Sequence, residues 1–483
     1  MKQLELRRNS GMSLYQQIYA ELRAQVFQGD IAAGEALPSY RFMSRKYQVN
    51  VSTVEKAYDL LETNGYIERR HGSGCFALPL DSFEFYADGV VLDSFEAGQS
   101  EAEDVFDFAT STPMAGKEET VDFVHLINEL AQKRPEVLFR YPPTRGAPSL
   151  IHVIHERLTL HGVDVRPENI HIVGGSQQGI DLICKSLINK NTVILAEDPS
   201  YTVATNCFQR AGAQIEMVPM EADGPNMRVI REKLAHMAID FYYTMPNFHC
   251  PTNVSWSLEK RRELLALANE YGFVIIEDDC LGELSFDSSA HSTFRWEDTT
   301  DSVIHLNSFS KCLAPGMRLG YMLIPGRYEK RMILAKFNSD IASPAILQEA
   351  LALYIQKGLY DTHLAKLRTQ YAEKRKIMVD AIQKTRYLSL PYPEHDGGVF
   401  FWVQLPEGID STELWSRLRN QSIKLLPSTV FSHTGQLKNY VRISYVGCPA
   451  DRIQSGVLRI DREIELISTI AGSERYEKGR LSR

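Results

Sequence analysis

The chain has 483 residues and a formal net charge of −8, with 44 % of its residues apolar and 24 % charged. Those proportions exclude a disordered or fibrous chain, and the length implies two or three domains. No run approaches the roughly 20 consecutive apolar residues that a membrane helix needs, so no membrane partner is expected. The N-terminus MKQLELRRNSGMS lacks the apolar core of a signal peptide. The seven cysteines are scattered, odd in number and never paired as CxxC. That usage fits a reducing cytoplasm and implies neither a disulfide framework nor a metal site. A net acidic chain can meet nucleic acid only through a local basic patch.

In chain order, Leu14, Ile18, Leu22 and Val26 recur every four residues and line one face of a first helix, with Ser13 as its cap and Gly29-Asp30 as its stop. Ser39 caps a short second helix carrying Phe42, Met43 and Tyr47. Asn50 caps a third, Val51 to Asn64, with Val54, Ala57, Tyr58 and Leu61 inward and Gly65 after it. Tyr66 to Arg70 and Cys75 to Leu78 flank His71-Gly72-Ser73-Gly74, the pattern of a hairpin with a glycine-rich turn.

Two short helices joined by a tight turn and followed by a basic hairpin make a winged helix-turn-helix. The third helix would enter the major groove of a double-stranded operator and the hairpin would reach phosphates. Ser52, Thr53 and Lys56 would stand on the exposed face of the recognition helix. Arg41 and Arg45 would flank it, and Arg69, Arg70 and His71 would arm the wing. A single helix of this kind reads better as a protein-binding element with solvated charges; for the whole constellation it is a family resemblance that favours DNA. The segment LPSYRFMSRKYQVNVSTVEKAYDLLETNGYIERRHGSGCF resembles the GntR family through all three helices and the wing. It departs from the family at Val51, where an arginine is usual near the start of the recognition helix.

Residues 1–78 are thus assigned to a DNA-binding domain. Residues 79–104 form an acidic linker, because every charged side chain from Asp81 to Asp107 is a carboxylate. Residues 105–483 alternate strand-like and helical patterns, as an α/β domain with a mostly parallel sheet does.

Three segments of this last region carry chemistry. The strand-like run Ile170 to Val173 leads into Gly174-Gly175-Ser176-Gln177-Gln178 and a helical pattern, a turn that lets backbone N–H groups approach an anion. The apolar run Phe273 to Ile276 ends in Glu277-Asp278-Asp279, at the strand end where open α/β sheets hold ligands. A second run, Val303 to Leu306, ends in Ser308-Phe309-Ser310-Lys311, with Arg318 seven residues on. A lysine so placed can form a Schiff base while serine and arginine hold a phosphate. Alone, each reads as a turn, a helix cap or a surface lysine.

Together they resemble fold type I aminotransferases, from about residue 105 to the end. The resemblance implies pyridoxal 5′-phosphate (PLP) as cofactor and Lys311, in SFSKCLAPGMRLGY, as the internal-aldimine lysine. It implies Asp278 on the pyridine nitrogen, and Gly175, Ser176, Gln177, Ser308, Ser310 and Arg318 around the phosphate. Tyr201 would stack on the ring, Asn247 would bond the ring hydroxyl, and Arg442, in NYVRISY, would grip a substrate carboxylate. Tyr141 would reach the phosphate of a neighbouring subunit, which implies a homodimer. Three departures stand out: Cys280 where a tyrosine is common, Pro251-Thr252-Asn253 for Pro-Thr-Gly, and Thr110-Ser111-Thr112-Pro113 for a glycine-containing segment.

The order of reader, linker and aminotransferase-like domain resembles the MocR subfamily of GntR regulators over essentially the whole length. That resemblance implies a cytoplasmic transcription regulator in which an amino acid, an amine or PLP itself is sensed through aldimine chemistry. The alternative is a working aminotransferase with an appended DNA-binding domain, since Lys311 and Arg442 are both present. Cys280 points to residual transaminase turnover or none.

Overall fold

A computed structural model describes residues 14–27, 31, 32, 34–63, 66–70, 74–77, 105–113, 116–287, 292–392, 396–433, 435 and 437–481. The expected caps and stops at Ser13, Gly29-Asp30 and Gly65, the wing tip with His71, and the acidic linker lie outside these residues. The chain divides into two units, Met1–Gly89 and Val90–Arg483.

In the first unit, α1 (Leu14–Phe27), α2 (Tyr40–Tyr47) and α3 (Val51–Thr63) are followed by β1 (Ile67–Arg70) and β2 (Gly74–Ala77). Ser39 caps α2 by accepting from Phe42 N at 3.3 Å. The turn into α3 passes through Gln48, in the left-handed region at φ 52. Ile18, Leu22, Met43, Val54, Ala57, Tyr58 and Leu61 are fully buried together, so the fourfold spacing on α1 meets the inner face of α3. Phe42, next to Met43 on α2, turns outward and stays exposed. The strands pair antiparallel from Ile67 with Ala77 to Arg70 with Gly74, and Ala36 bridges Phe76 on the other edge.

In the second unit, β3 (Phe106–Asp107) precedes an eight-stranded sheet. Its strands are β4 (Ile170–Val173), β5 (Val193–Asp198), β6 (Gln214–Glu221), β7 (Gly224–Pro225), β8 (Phe241–Thr244), β9 (Val274–Asp278), β10 (Val303–Ser308) and β11 (Gly320–Leu323). Their order is β4-β11-β10-β9-β8-β5-β6-β7, with β5, β6, β8, β9 and β10 parallel, and β11 and β7 antiparallel to their neighbours. A three-stranded antiparallel sheet follows, built from β12 (Phe400–Gln404), β14 (Leu426–Pro427) and β15 (Tyr440–Ser444), and β13 (Ile423–Lys424) pairs with β3.

The register fixes which residues share a face. Leu306 lies beside Asp278 and Met322, and His305 beside Glu277. Side chains alternate along a strand. One face, called the front, therefore carries Ile276, Asp278, Leu306, Ser308 and Met322, and the back carries Ile275, Glu277, His305, Asn307 and Tyr321. The helix Ser176–Leu187 covers the front and comes close because residue 179 is glycine; a Cβ there would lie 2.7 Å from Leu306 Cδ2. On the back, Leu195, Tyr242, Ile275 and Val303 pack against Leu264, Trp256 and Phe294 in one buried cluster. Asp278 thus ends a strand enclosed on both faces, as its unbroken apolar run predicts.

Candidate functional site

The front-face site grows from three chain turns. At the first, Gly175 caps the helix Ser176–Leu187 with φ 91, and a Cβ there would meet Arg318 Nη2 at 3.1 Å and Ser308 Oγ at 3.3 Å. Only glycine combines that backbone with that closeness. At the second, β10 ends at Ser308, whose Oγ accepts from Ser310 N at 3.3 Å. At the third, Arg318 sits in the left-handed region at φ 51, aiming Nη1 at Ser310 Oγ (3.2 Å) and Nη2 at Gly174 O (2.6 Å). The Arg318 guanidinium is exposed and makes no ion pair among the described residues. Gly175, Ser176, Ser308, Ser310 and Arg318 are thus brought together as a helix N-terminus, two hydroxyls and one uncompensated cation, the composition of an anion cradle. Gln177, on the same helix, accepts at Oε1 from the Tyr201 hydroxyl at 3.4 Å, and Tyr201 feels the charge of Asp278.

Deeper in the site, Asp278 is fully buried. Its Oδ2 accepts from the Tyr243 hydroxyl at 3.5 Å, and its Oδ1 has no hydrogen-bond partner among the described residues, while the thiol and N–H of Cys280 beside the carboxyl favour its ionised form. Burial, then the neighbouring charge of Asp279, pushes its carboxyl up to about 6. A buried carboxylate oxygen without a donor is costly unless a ligand supplies one.

Lys311 donates from Nζ to Ser111 Oγ at 2.8 Å. Burial holds its ammonium below the usual lysine range; the Cys280, Cys250 and Asp278 groups pull the other way, and the Arg442 cation reinforces the depression. Arg442, on β15, is buried under Phe400 and Phe431, with its guanidinium carbon 4.3 and 5.2 Å from the ring centres. Its Nη2 donates to Ala109 O at 2.7 Å, its Nη1 lies 3.5 Å from Cys250 Sγ, and its Nε is unpartnered. Among the described residues no carboxylate pairs with it.

Two expected members fall elsewhere. Asn247 donates to Asp279 Oδ1 (2.8 Å) and Ser292 O (2.9 Å) and accepts from Arg261 Nη2 (2.8 Å), so its amide is tied into a network beside Asp279. Cys250, three residues on, is the one that reaches Arg442 and feels the charge of Lys311. Tyr141 is 81 % exposed and makes no hydrogen bond to the cluster among the described residues. The sequence reading did not assign Ser111, Tyr243 or Cys250 a place here. For Ser111 alone there was a local signal, the side chains in a segment where glycine is common.

In the first unit, Arg41, Arg45, Ser52 and Lys56 are exposed and Thr53 is half-buried on α2 and α3. Arg41, Arg45 and Lys56 make no ion pair among the described residues. The wing differs. Arg69 is bonded to Asp59 Oδ1 and lies 3.2 Å from Glu62 Oε2, both on α3, and Arg70 pairs with Glu68 at 2.6 Å while covering the Phe76 ring. Those two wing arginines are therefore already compensated.

No helix among the described residues is long and apolar enough to cross a membrane. Residues 103–460 match the family described as aminotransferase class I and II, and residues 14–77 match the bacterial regulatory proteins of the gntR family. The chain is 26 % identical over 477 residues to YisV of Bacillus subtilis, named as an uncharacterized HTH-type transcriptional regulator, covering 95 % of this chain and 97 % of that one. It is 26 % identical over 482 residues to the probable rhizopine catabolism regulatory protein MocR of Rhizobium meliloti, covering 94 % of each. The crystal structure of Pyrococcus horikoshii kynurenine aminotransferase matches with a TM-score of 0.72 at 27 % identity, over 78 % of this chain and 94 % of that one.

Proposed function

This chain belongs to the aminotransferase class I and II family and carries a GntR-type helix-turn-helix ahead of that domain, the make-up of MocR-type transcription regulators; from that premise we propose that it binds PLP at Lys311 and uses it to sense a small amine or amino acid while holding operator DNA. The observation that carries this reading is the buried Asp278 Oδ1 without a donor, in a pocket whose lysine amine is also depressed.

The residues fit the cofactor. The Gly175, Ser308, Ser310 and Arg318 cradle suits a phosphate, and Asp278 suits a protonated pyridine nitrogen. Bound there, PLP supplies an aldehyde that condenses reversibly with amines. Lys311, kept below the usual lysine range, has a larger share of neutral amine than a free lysine, as a nucleophile requires. Ser111 orients that amine. Arg442, a buried cation without a carboxylate, suits a ligand carrying one, because its planar fork matches the two oxygens. Tyr141, exposed in its own chain, is free to reach a second copy, which supports a homodimer.

At the other end, Arg41, Arg45 and Lys56 offer uncompensated cations beside Ser52 and Thr53, a division between phosphate contacts that position and side chains that read bases. A ligand moves the reader only if its affinity differs between two states of the protein. The aminotransferase reading rests on the same Lys311 and Arg442.

One experiment separates the two. The full-length, PLP-loaded chain is titrated with a panel of amino acids while absorbance and affinity for the DNA upstream of its own gene are followed together. The sensor reading expects a spectral shift with a change of about fivefold or more in DNA affinity. Rapid stoichiometric release of a keto acid at unchanged DNA affinity supports the enzyme instead.

A further inference from the structure

Behind the sheet, on the side away from Lys311, lies a cavity of about 350 Å³ between the helix Pro148–Leu160, the helix Leu359–Gln383 and strands β9 to β11. It shares no lining residue with the front cluster, and its contents do not belong to the cofactor chemistry. From its charges and walls we propose that it is a second ligand site, for a small organic carboxylate with a flat apolar body.

The charge argument eliminates most of the ionic groups. Arg157 is matched by Glu283 at 3.0 Å and by Asp361. Asp279 is held by Asn247 Nδ2, and Asn247 Oδ1 in turn accepts from buried Arg261, so that cation compensates it through one amide. What remains is Arg368. Its Nε donates to Glu283 O at 2.9 Å, while its two terminal nitrogens have no partner among the described residues. A free planar fork in a confined, partly apolar space matches a carboxylate. A phosphate dianion suits it poorly, because Asp279, Glu283 and Asp361 line the same cavity with only two arginines.

Two further groups point the same way. His305 is 97 % buried, being 3 % exposed; its Nδ1 is 2.8 Å from Glu277 Oε2, while its Nε2 has no hydrogen bond among the described residues and its ring lines the cavity. Tyr321 also lines it, and its hydroxyl has no hydrogen-bond partner among the described residues. The Tyr321 hydroxyl can donate to an anionic oxygen, and the His305 ring offers a polar edge in the same wall. The walls supply the flat body's complement. The Trp296 and His161 rings lie parallel at 5°, 6.3 Å apart, and Ile154, Leu158 and Leu364 add aliphatic surface. A cavity of this size, walled in near-equal parts by apolar surface and by convergent polar groups, is large enough to hold a small molecule.

The site is also placed to be felt at the front. Asp278 and Asp279 are consecutive and point to opposite faces, as do Asn307 and Ser308. An occupant of the cavity therefore sits one peptide unit from both the pyridine-facing carboxylate and the phosphate-facing hydroxyl.

The test uses the purified full chain and phenylacetate as probe, with binding followed by calorimetry. The expected result is saturable binding of one phenylacetate per chain. It should be weakened tenfold or more by Arg368→Gln, abolished by Leu158→Trp, which fills the cavity, and changed less than twofold by Arg442→Ala. If Arg368→Gln does not fold, Tyr321→Phe replaces it, with a loss of about threefold expected. Absence of saturable binding would overturn the proposal. So would loss on Arg442→Ala with retention in Leu158→Trp, or tighter binding of phenyltrimethylammonium than of phenylacetate.

Discussion

Among the described residues of the first unit Arg41, Arg45, Lys46, Lys56, Arg69 and Arg70 stand in solvent, and where they are compensated the partner is another surface group: Arg69 with Asp59 and Glu62, Arg70 with Glu68. In the second unit the telling charges are buried and make no ion pair among the described residues: Arg442 under two phenyl rings, Asp278 with one oxygen unpartnered there. On the proposed reading the difference follows from what each unit meets. DNA brings many phosphates to an open surface, where an exposed cation costs little until it is used. A small ligand brings one or two charges into a closed space, where each protein charge must be set in place beforehand, at a desolvation cost the ligand then offsets. The comparison predicts that substitutions in the buried set act in an all-or-none way and those on the surface act by increments.

The largest effect belongs to Lys311→Ala. It should abolish the visible absorbance that appears when PLP is added, and with it any ligand response, while DNA binding stays detectable. A variant that still responds normally to amines would remove covalent sensing from the account.

Asp278→Ala comes next. Losing a buried, charge-assisted partner for the pyridine nitrogen should weaken PLP binding by roughly a hundredfold, in line with about 2–5 kcal/mol for such a truncation. The pH dependence has a definite sign. Only ionised Asp278 accepts from the ring, and the carboxyl of the cofactor-free chain sits at about 6. PLP affinity should therefore fall as pH drops below about 6, approaching tenfold per unit, and the variant should lose that slope. The same raised carboxyl makes the cofactor-free fold carry the cost of a buried ion above pH 6 and shed it as the group protonates between about 6 and 4. Removal of the side chain should accordingly raise the cofactor-free melting temperature at pH 7. Equal PLP affinity at pH 5 and pH 7.5 would contradict this assignment.

These two residues were also the most legible. Asp278 closely follows the unbroken apolar run Phe273 to Ile276, and in a parallel sheet enclosed on both sides that pattern says where the strand stops; Lys311, three residues past the end of β10, was legible only through the resemblance carried by SFSKCLAPGMRLGY. Ser39, Val54, Ala57 and Leu61 were legible for the matching reason in helices, through capping and a 3.6-residue period. What was not legible depends on contacts far apart in sequence. Asn247 and Cys250 share the loop MPNFHCPTN, and nothing local says that the first turns toward Arg261 while the second turns toward Arg442. The cavity behind the sheet draws Arg157, His305, Tyr321 and Arg368 from four separate segments, and no motif joins them. Asp59 lies ten residues from Arg69, a spacing that carries no fixed geometry across the turn between α3 and β1.

On the surface, Lys56→Ala should reduce operator affinity about fivefold at moderate salt. It should lower the slope of log affinity against log salt by about one, since one phosphate contact is lost. Arg41→Ala should behave alike. A hundredfold loss from either would break the comparison, because it would place a fully desolvated contact where an exposed one is expected.

The smallest effect is assigned to Arg69→Ala, and it decides how far the surface rule holds. Arg69 is compensated before DNA arrives, by two carboxylates on the recognition helix itself. Exposed ion pairs are worth about 1 kcal/mol or less, so the variant should lose no more than that on chemical denaturation. Because its charge is already spent within the protein, the salt slope of DNA binding should not change. If the slope instead falls by about one, as for Lys56→Ala, then Arg69 leaves Asp59 and Glu62 on binding and takes a phosphate as its partner. The clip between wing and recognition helix would in that case be a feature of the free protein alone, and the wing would count among the groups held in reserve for DNA.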